Sequence, residues 1–220
     1  MKRDVKPEIL DELSESDPRA IRSRKDLRLI NYFMRGEAWI LSRLESIIKS
    51  SGSVCRVVEL GAGEALLSQK ISERFPDCDV VAIDLVDRPK HVPDKIMWES
   101  VNVLNYDVYD HDTVVVANLF IHHLEDGQIR QLAERLKHVR TVVFAEPHRS
   151  ALGLFFGRLI FPIINDVTRH DMLVSIRAGF CGSEIPALFG SDYQWKESYG
   201  LFGGLRIHGT RFSKQEEKGS

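Results

Sequence analysis

Cysteine is scarce in this chain of 220 residues, with only Cys55, Cys78 and Cys181. Three thiols cannot complete a disulfide framework, and none has C-x-x-C spacing, so a disulfide-stapled secreted scaffold is excluded and a reduced, cytoplasmic setting is expected. Excess charge of one sign is also missing. The 30 Lys and Arg nearly balance 32 Asp and Glu, leaving a net charge of −2, which argues against nucleic acid as the main partner. The N-terminal segment MKRDVKPEILDELSESDPR has no apolar core of the kind a secretory signal needs. The longest apolar run, Leu152–Ile164, has 13 residues and is broken by Arg158 and Pro162, too short to span a bilayer. There is no internal repeat. The apolar fraction of 43% can build a core and excludes wholesale disorder, and the length suits one domain with an elaboration.

What is present falls into two textures. The first fifty residues read as helical. A short opening turn around Ile9, Leu10 and Leu13 leads to Asp17–Pro18, an N-cap followed by proline at the first helical position. Ile21, Leu27, Ile30, Phe33 and Met34 then keep helical spacing up to Gly36. Ile40, Leu41, Leu44, Ile47 and Ile48 share one face of a second helix ending near Ser51–Gly52. From there the chain alternates. The runs 55–60 (CRVVEL), 79–85 (DVVAIDL), 113–118 (TVVVAN) and 141–146 (TVVFAE) are nearly continuous apolar strands, with 96–103 (IMWESVNV) a weaker fifth. Helical patterns lie between them at 63–75 and 125–136, which predicts a parallel sheet buried on both faces. The connection 84–96 carries Pro89 and Pro93 and is too short for a crossover helix. A further helix starts at Ser183, and the segments YQWKESYG and LRIHGTRF, joined across Leu201–Gly204, read as an antiparallel hairpin. The expected architecture is α/β: a Rossmann-like, mostly parallel seven-stranded sheet with helices on both faces and a C-terminal antiparallel hairpin. An N-terminal helical cap (1–53) precedes the main domain (54–212), with an insertion at 147–192 and a disordered tail at 213–220.

Two positions carry the chemistry. The turn after the first strand reads Glu59-Leu60-Gly61-Ala62-Gly63-Glu64-Ala65-Leu66, where glycines let the backbone approach a ligand lying over the strand ends. Asp84, at the end of the second strand, stands 21 residues beyond Gly63, where a carboxylate accepts hydrogen bonds from ribose hydroxyls. The pair makes an adenosine site. A dinucleotide fingerprint needs glycine at position 66, and Leu66 would obstruct a pyrophosphate. Glu59 beside the first glycine suits a cationic ligand better than an anionic one, and S-adenosylmethionine carries a sulfonium and an ammonium without phosphates.

With these residues the sequence resembles the class I S-adenosylmethionine-dependent methyltransferases. VVELGAGEALLS (57–68) is similar to their first motif, VVAIDL (80–85) to their second and VVVANLFIHHL (114–124) to the strand-four motif, so that the resemblance covers about 54–212. EPHRS (146–150), VTRHD (167–171) and SIRAGF (175–180) resemble bacterial small-molecule methyltransferases of the quinone and polyketide type. The resemblance implies that Glu59 holds the cofactor ammonium, that Gly61, Ala62 and Gly63 pass beneath it, that Asp84 binds ribose and that Leu85 packs on adenine. Asn102 falls where the family places an acid that meets the adenine amino group, and Ala117 and Asn118 would line the methionine side. The third glycine of the first motif is Ala65 here, a departure from the pattern. S-adenosylhomocysteine would be the product and 147–192 a substrate lid.

For acceptor chemistry, His122 and His123 follow strand four and His148 follows strand five, while His170 sits beside Asp171. Any of the four histidines could deprotonate a phenol or enol, and the sequence does not rank them. No His/Asp/Glu group has helical metal-ligand spacing, so no metal is expected. The run 152–164 is open to three readings: a buried core helix, a lid over an apolar channel through Phe155, Phe156, Leu159 and Phe161, or a surface docking on a membrane or partner. The expected acceptor is small and apolar or aromatic, methylated at oxygen or carbon. Two competing functions remain: an RNA methyltransferase using the basic face Arg19, Arg22, Arg24, Lys25 and Arg28, and a non-catalytic cofactor-binding partner subunit.

Overall fold

The structure, a computed structural model, describes residues 1–14, 16–51, 56–200 and 202–212. The expected disordered tail, Cys55 at the start of the first strand run, Gly52 and Leu201 lie outside these residues. Helices α1 (Ile9–Glu12), α2 (Pro18–Met34) and α3 (Gly36–Ser51) open the chain. Asp17 caps α2 as its sequence position predicts, accepting the Arg19 N–H at 2.8 Å. Strands and helices then alternate: β1 (Arg56–Leu60), α4 (Leu66–Arg74), β2 (Asp79–Asp84), β3 (Ile96–Ser100), β4 (Thr113–Asn118), α5 (Asp126–Arg135) and β5 (Thr141–Pro147). After α6 (Ala151–Leu159), α7 (Asp166–Ala178) and α8 (Glu184–Phe189), the hairpin β6 (Tyr193–Tyr199) and β7 (Gly204–Arg211) closes the sheet. No helix joins β2 to β3, as the two prolines of that connection require. Among the described residues no helix is long and apolar enough to cross a membrane.

The sheet order is β3-β2-β1-β4-β5-β7-β6, with β7 antiparallel to both of its neighbours and the remaining pairs parallel. Alternate residues of each central strand serve opposite cores. Val58, Leu60, Val81, Ile83, Val115 and Phe144 face one core with Ile129, Leu132 and Leu136 of α5. Val57, Val80, Ala82, Val114, Val116 and Val143 face the other with Ile40 and Leu44 of α3 and Leu67 and Ile71 of α4. This is why the strand sequences are almost unbroken runs of β-branched residues. The N-terminal helical region divides: α3 is a layer of the second core, whereas α1 and α2 pack on α7.

Helix α6 is not a buried core helix, which corrects one of the three readings of its apolar run. Gly157 is its one buried residue, set against Met172 and Ile176 of α7. Leu152, Phe155, Phe156, Leu159 and Ile163 are 48–63% exposed, so they form an outer face and line no enclosed channel.

The join between β5 and α7 is tight. Phe180 N–H donates to Pro147 O at 2.9 Å, and a Cβ on Gly179 would stand 2.3 Å from that same carbonyl oxygen. Gly179→Ala should therefore lower stability by roughly 1–3 kcal/mol, read as a lower urea midpoint at unchanged slope.

Candidate functional site

The glycine turn joins β1 to α4 in left-handed backbone. Gly61 has φ +66° and Gly63 +52°, and Ala65 adopts the same region at +55° as the residue capping α4. An alanine there costs about 1–2 kcal/mol relative to a relaxed conformation, so the third position keeps the geometry a glycine would adopt without strain. A Cβ on Gly61 would fall 2.0 Å from the Phe120 ring, so the turn lies against the segment after β4. Asp84 ties the turn to β2: one carboxylate oxygen accepts the Gly63 N–H at 2.7 Å, and the other accepts Leu85 N–H at 2.7 Å and Val86 N–H at 3.3 Å. Ala62 N–H donates to Ile83 O at 3.0 Å. Leu85 stands 74% exposed at the strand end. The oxygen of Asn102 accepts the Leu104 N–H at 2.9 Å, so part of its accepting capacity serves its own turn.

Glu59 is buried beneath this turn, and Ser68 Oγ donates to it. Burial pushes its carboxyl up to about 8, against the opposing hydrogen bonds from Ser68. No cation offsets this buried acid among the described residues, which is the electrostatic setting an ammonium group would complete. Ala117 corrects an expectation: it is fully buried in the core and its methyl is not available to a ligand. Asn118, one residue on, reaches a small cavity shared with Asn31, Met34, Gly36 and Arg206. Asn31 Oδ1 and Arg206 Nε there are buried without a hydrogen-bond partner, an unfilled polar requirement that the sequence did not announce.

The histidines separate. Leu119, in left-handed backbone at φ +56°, turns the chain after β4 into a 3₁₀ turn, Ile121–His123. Glu146, fully buried at the end of β5, accepts Phe120 N–H at 3.1 Å, Ile121 N–H at 2.8 Å and His122 N–H at 3.3 Å. It also holds His122 Nδ1 at 2.8 Å. On the other side Nε2 of His122 faces the Glu8 carboxylate at 3.8 Å, and Ser175 Oγ donates to Glu8. Burial alone would favour neutral His122, which is 3% exposed, but the bonds to Glu146 and Glu8 outweigh it and raise the ring to about 9. Burial likewise works against an ionised Glu8, yet His122, His123 and Ser175 hold it below the usual carboxylate range. His123, its ring centroid 4.3 Å from that of His122, is pushed below the ordinary histidine value by burial and by the His122 charge. The ligating atoms of Glu8, His122 and His123 lie within 4.8 Å of one another, a grouping that the sequence spacing did not reveal, and an ion there would have to displace the His122 proton.

His148 and His170 stand apart from this array. The His148 backbone bridges to Phe180, its N–H donates to Gly203 O at 2.8 Å, and its ring packs 4.7 Å from Tyr199. His170 pairs with Asp171 at 2.9 Å, and Asp171 is itself committed to α1, accepting Ile9 N–H at 2.8 Å and Leu10 N–H at 3.0 Å. Glu8 and Glu146 were not singled out as site residues from the sequence, and Asp171 was named only as the neighbour of His170. Glu146 heads the EPHRS segment at the end of a strand, which is a usable signal, but nothing local marks Glu8. The basic face of α2 is largely paired, Arg19 with Asp17, Arg22 with Asp26 and Arg28 with Glu64.

No protein-family model matches the sequence, and no curated protein matches it. Solved structures do match in three dimensions. The plantazolicin methyltransferase BpumL, in complex with a monoazolic desmethylPZN analog and S-adenosylhomocysteine, superposes with a TM-score of 0.69 at 13% identity, over 90% of this chain and 92% of that one. The fold is that of a class I methyltransferase. The pyocyanin biosynthetic protein PhzM matches with a TM-score of 0.62 at 15% identity over 94% of this chain and 62% of that chain. A putative O-methyltransferase from Nostoc punctiforme matches at 0.59 and 12% identity, over 81% and 57%.

The raised Glu59 has a stability consequence. Its folded value near 8 lies above the ordinary 4.5, so between those pH values the unfolded chain has released a proton that the folded chain keeps. Stability of the ligand-free protein should fall as pH rises through that window, by about 1.4 kcal/mol per pH unit from this group. Glu59→Gln, which can still accept from Ser68, should flatten that slope in urea titrations at pH 5 and pH 7.

Proposed function

We propose that this chain is an S-adenosylmethionine-dependent methyltransferase of a small-molecule acceptor bearing an acidic O–H or C–H, such as a phenol or enol, and that it works in the cytoplasm. The observation that carries this reading is the glycine turn locked by Asp84 over a buried Glu59 that lacks a cation. Glu59 would take the ammonium of the cofactor, Gly61 to Gly63 its body and Asp84 its ribose, with Leu85 and Asn102 toward adenine and Asn118 toward the methionine side. When bound, S-adenosylmethionine supplies an electrophilic sulfonium methyl.

The remaining work belongs to the chain's own residues. Glu146 fixes the 3₁₀ turn and the Nδ1 side of His122, so both imidazoles are held at the end of β4. His122 stays protonated near pH 7 and contributes a fixed positive charge that favours a developing oxyanion or enolate. His123, kept neutral, is the base that takes the acceptor proton onto its ring. Glu8, Glu146 and Asp171 offset the second positive charge that this transfer creates beside His122. Alignment of acceptor and methyl group in a chamber that excludes water is worth roughly 7–11 kcal/mol in well-oriented systems. The runner-up functions have less support. Pairing of the α2 arginines weakens the RNA reading, and a non-catalytic subunit gives no reason for two imidazoles with opposed protonation states.

Binding is tested by thermal or urea stabilisation with S-adenosylhomocysteine. A ligand at 100 times its Kd should add about 2.7 kcal/mol, NAD should add nothing, and Asp84→Ala should remove the response; stabilisation by NAD alone would overturn the reading. With a methyl-accepting phenol or enol found by screening, His123→Ala should lower kcat by about 10²–10⁴-fold. In the wild type, kcat/KM should rise with pH while His123 loses its proton below its ordinary value, then level off near pH 7. A rate that does not change on substitution of His123 assigns the base elsewhere.

A further inference from the structure

The N-terminal residues run over the histidine array and hold on through many polar contacts, with Val5, Ile9, Leu10 and Leu13 only partly covered. Arg3 donates to the carbonyls of Ala178 at 2.8 Å, Leu124 at 2.7 Å and His122 at 3.1 Å, pairs with Asp126 and stacks on the Phe180 ring. Asp4 N–H donates to Arg177 O at 3.2 Å, and Asp171 caps the single turn of α1. That turn buries none of its own side chains. Among the described residues ahead of α2, Glu8 alone is buried. A peripheral segment normally docks by fully burying an apolar side chain, and this one fully buries a carboxylate directed toward His122.

We propose that residues 1–12 form a strap that lifts to admit the acceptor, and that Glu8 is a positioning residue seated on the Nε2 side of His122 only while the strap is down. The proposal rests on the methyltransferase reading for what enters the chamber, but its physical core does not. Glu8 pays the cost of its burial through the imidazolium, and the imidazolium depends on Glu8 as its second carboxylate, so strap docking and the His122 proton favour each other. The groups facing the pair are Glu146 from β5, His123 from the 3₁₀ turn, Asp171 from α7, Arg3 at the His122 carbonyl, and Asp11 on the strap itself. Burial and the carboxylates of Glu8, Asp171 and Asp84 raise Asp11 to about 6. The strap thus meets a site already rich in negative charge, and protonated His122 is what lets another carboxylate approach. Val5, Ile9, Leu10 and Leu13 are only partly covered and no apolar side chain of the segment is fully buried, so the docked state resists opening less than the sheet does. Once the strap is down, the charge on His122 suppresses protonation of His123 and leaves that ring ready as a base.

The test uses the whole chain without acceptor. Ring ¹⁵N shifts of His122 are followed against pH in wild type, Glu8→Gln and Glu8→Asp. The His122 midpoint should drop by about one unit or more in Glu8→Gln, as expected for loss of an adjacent opposite charge, and recover in part in Glu8→Asp. An unchanged midpoint in Glu8→Gln overturns the positioning role. Amide exchange at Ile9 and Leu10 should run at least about 100-fold faster than at Val115 and Val116, through local opening, and faster still in Arg3→Ala. Exchange of the strap amides only with global unfolding overturns the movable strap. Binding of S-adenosylhomocysteine to the wild type is scored separately, so failure of the methyltransferase reading is not confused with failure of the strap.

Discussion

The histidine array at the end of β4 depends on one buried carboxylate. Glu146 carries no exposed surface, yet three consecutive backbone N–H groups and the His122 ring converge on it. Removing a charge from water is costly unless hydrogen bonds replace the solvent, and these four do so. They also force the chain after β4 into a tight turn, through a left-handed Leu119, and so decide where both histidines sit. The protonation of His122, the suppressed basicity of His123 and the seating of Glu8 all follow from that anchor.

The cofactor half could be read from the sequence because it is local. A strand, a glycine turn and a second strand ending in Asp84 occupy fewer than thirty consecutive residues, and their chemistry is a matter of spacing. The seven-stranded architecture was equally plain, since burial on both faces leaves no polar alternation in the central strands. The acceptor half is non-local, and there the sequence ranks nothing. His122, His123, His148 and His170 look alike on the page; only tertiary contacts place two of them in one array and leave His148 at the sheet margin. Glu8 lies more than a hundred residues from the ring it faces, and no pattern connects them. The reading of α6 as a possible core helix failed for a related reason, because an apolar run does not say which side has a neighbour. Ala117 is the opposite case: as a motif residue it looked like a lining position, but strand alternation turns it into the core.

Electrostatics divides labour between the two halves. Under the glycine turn a buried acid stands without a cation and is kept protonated by desolvation. Across the 3₁₀ turn, two carboxylates surround one imidazole and keep it charged. The first site is incomplete and suits a positively charged ligand, whereas the second is internally compensated. Arg28 pairs with Glu64 in the glycine turn, and Arg22 on the same helix donates to Ile163 O. Helix α2 therefore reaches from the glycine turn to the exposed segment after α6.

The strap is made first and seated last. Ile9 and Leu10 find their cap in Asp171, 162 and 161 positions further along the chain, so they cannot be seated before α7 has been made. Contacts of such long range close late and cannot guide early collapse. Seating of this segment thus reports that α7 is made and packed, because its cap comes from that helix.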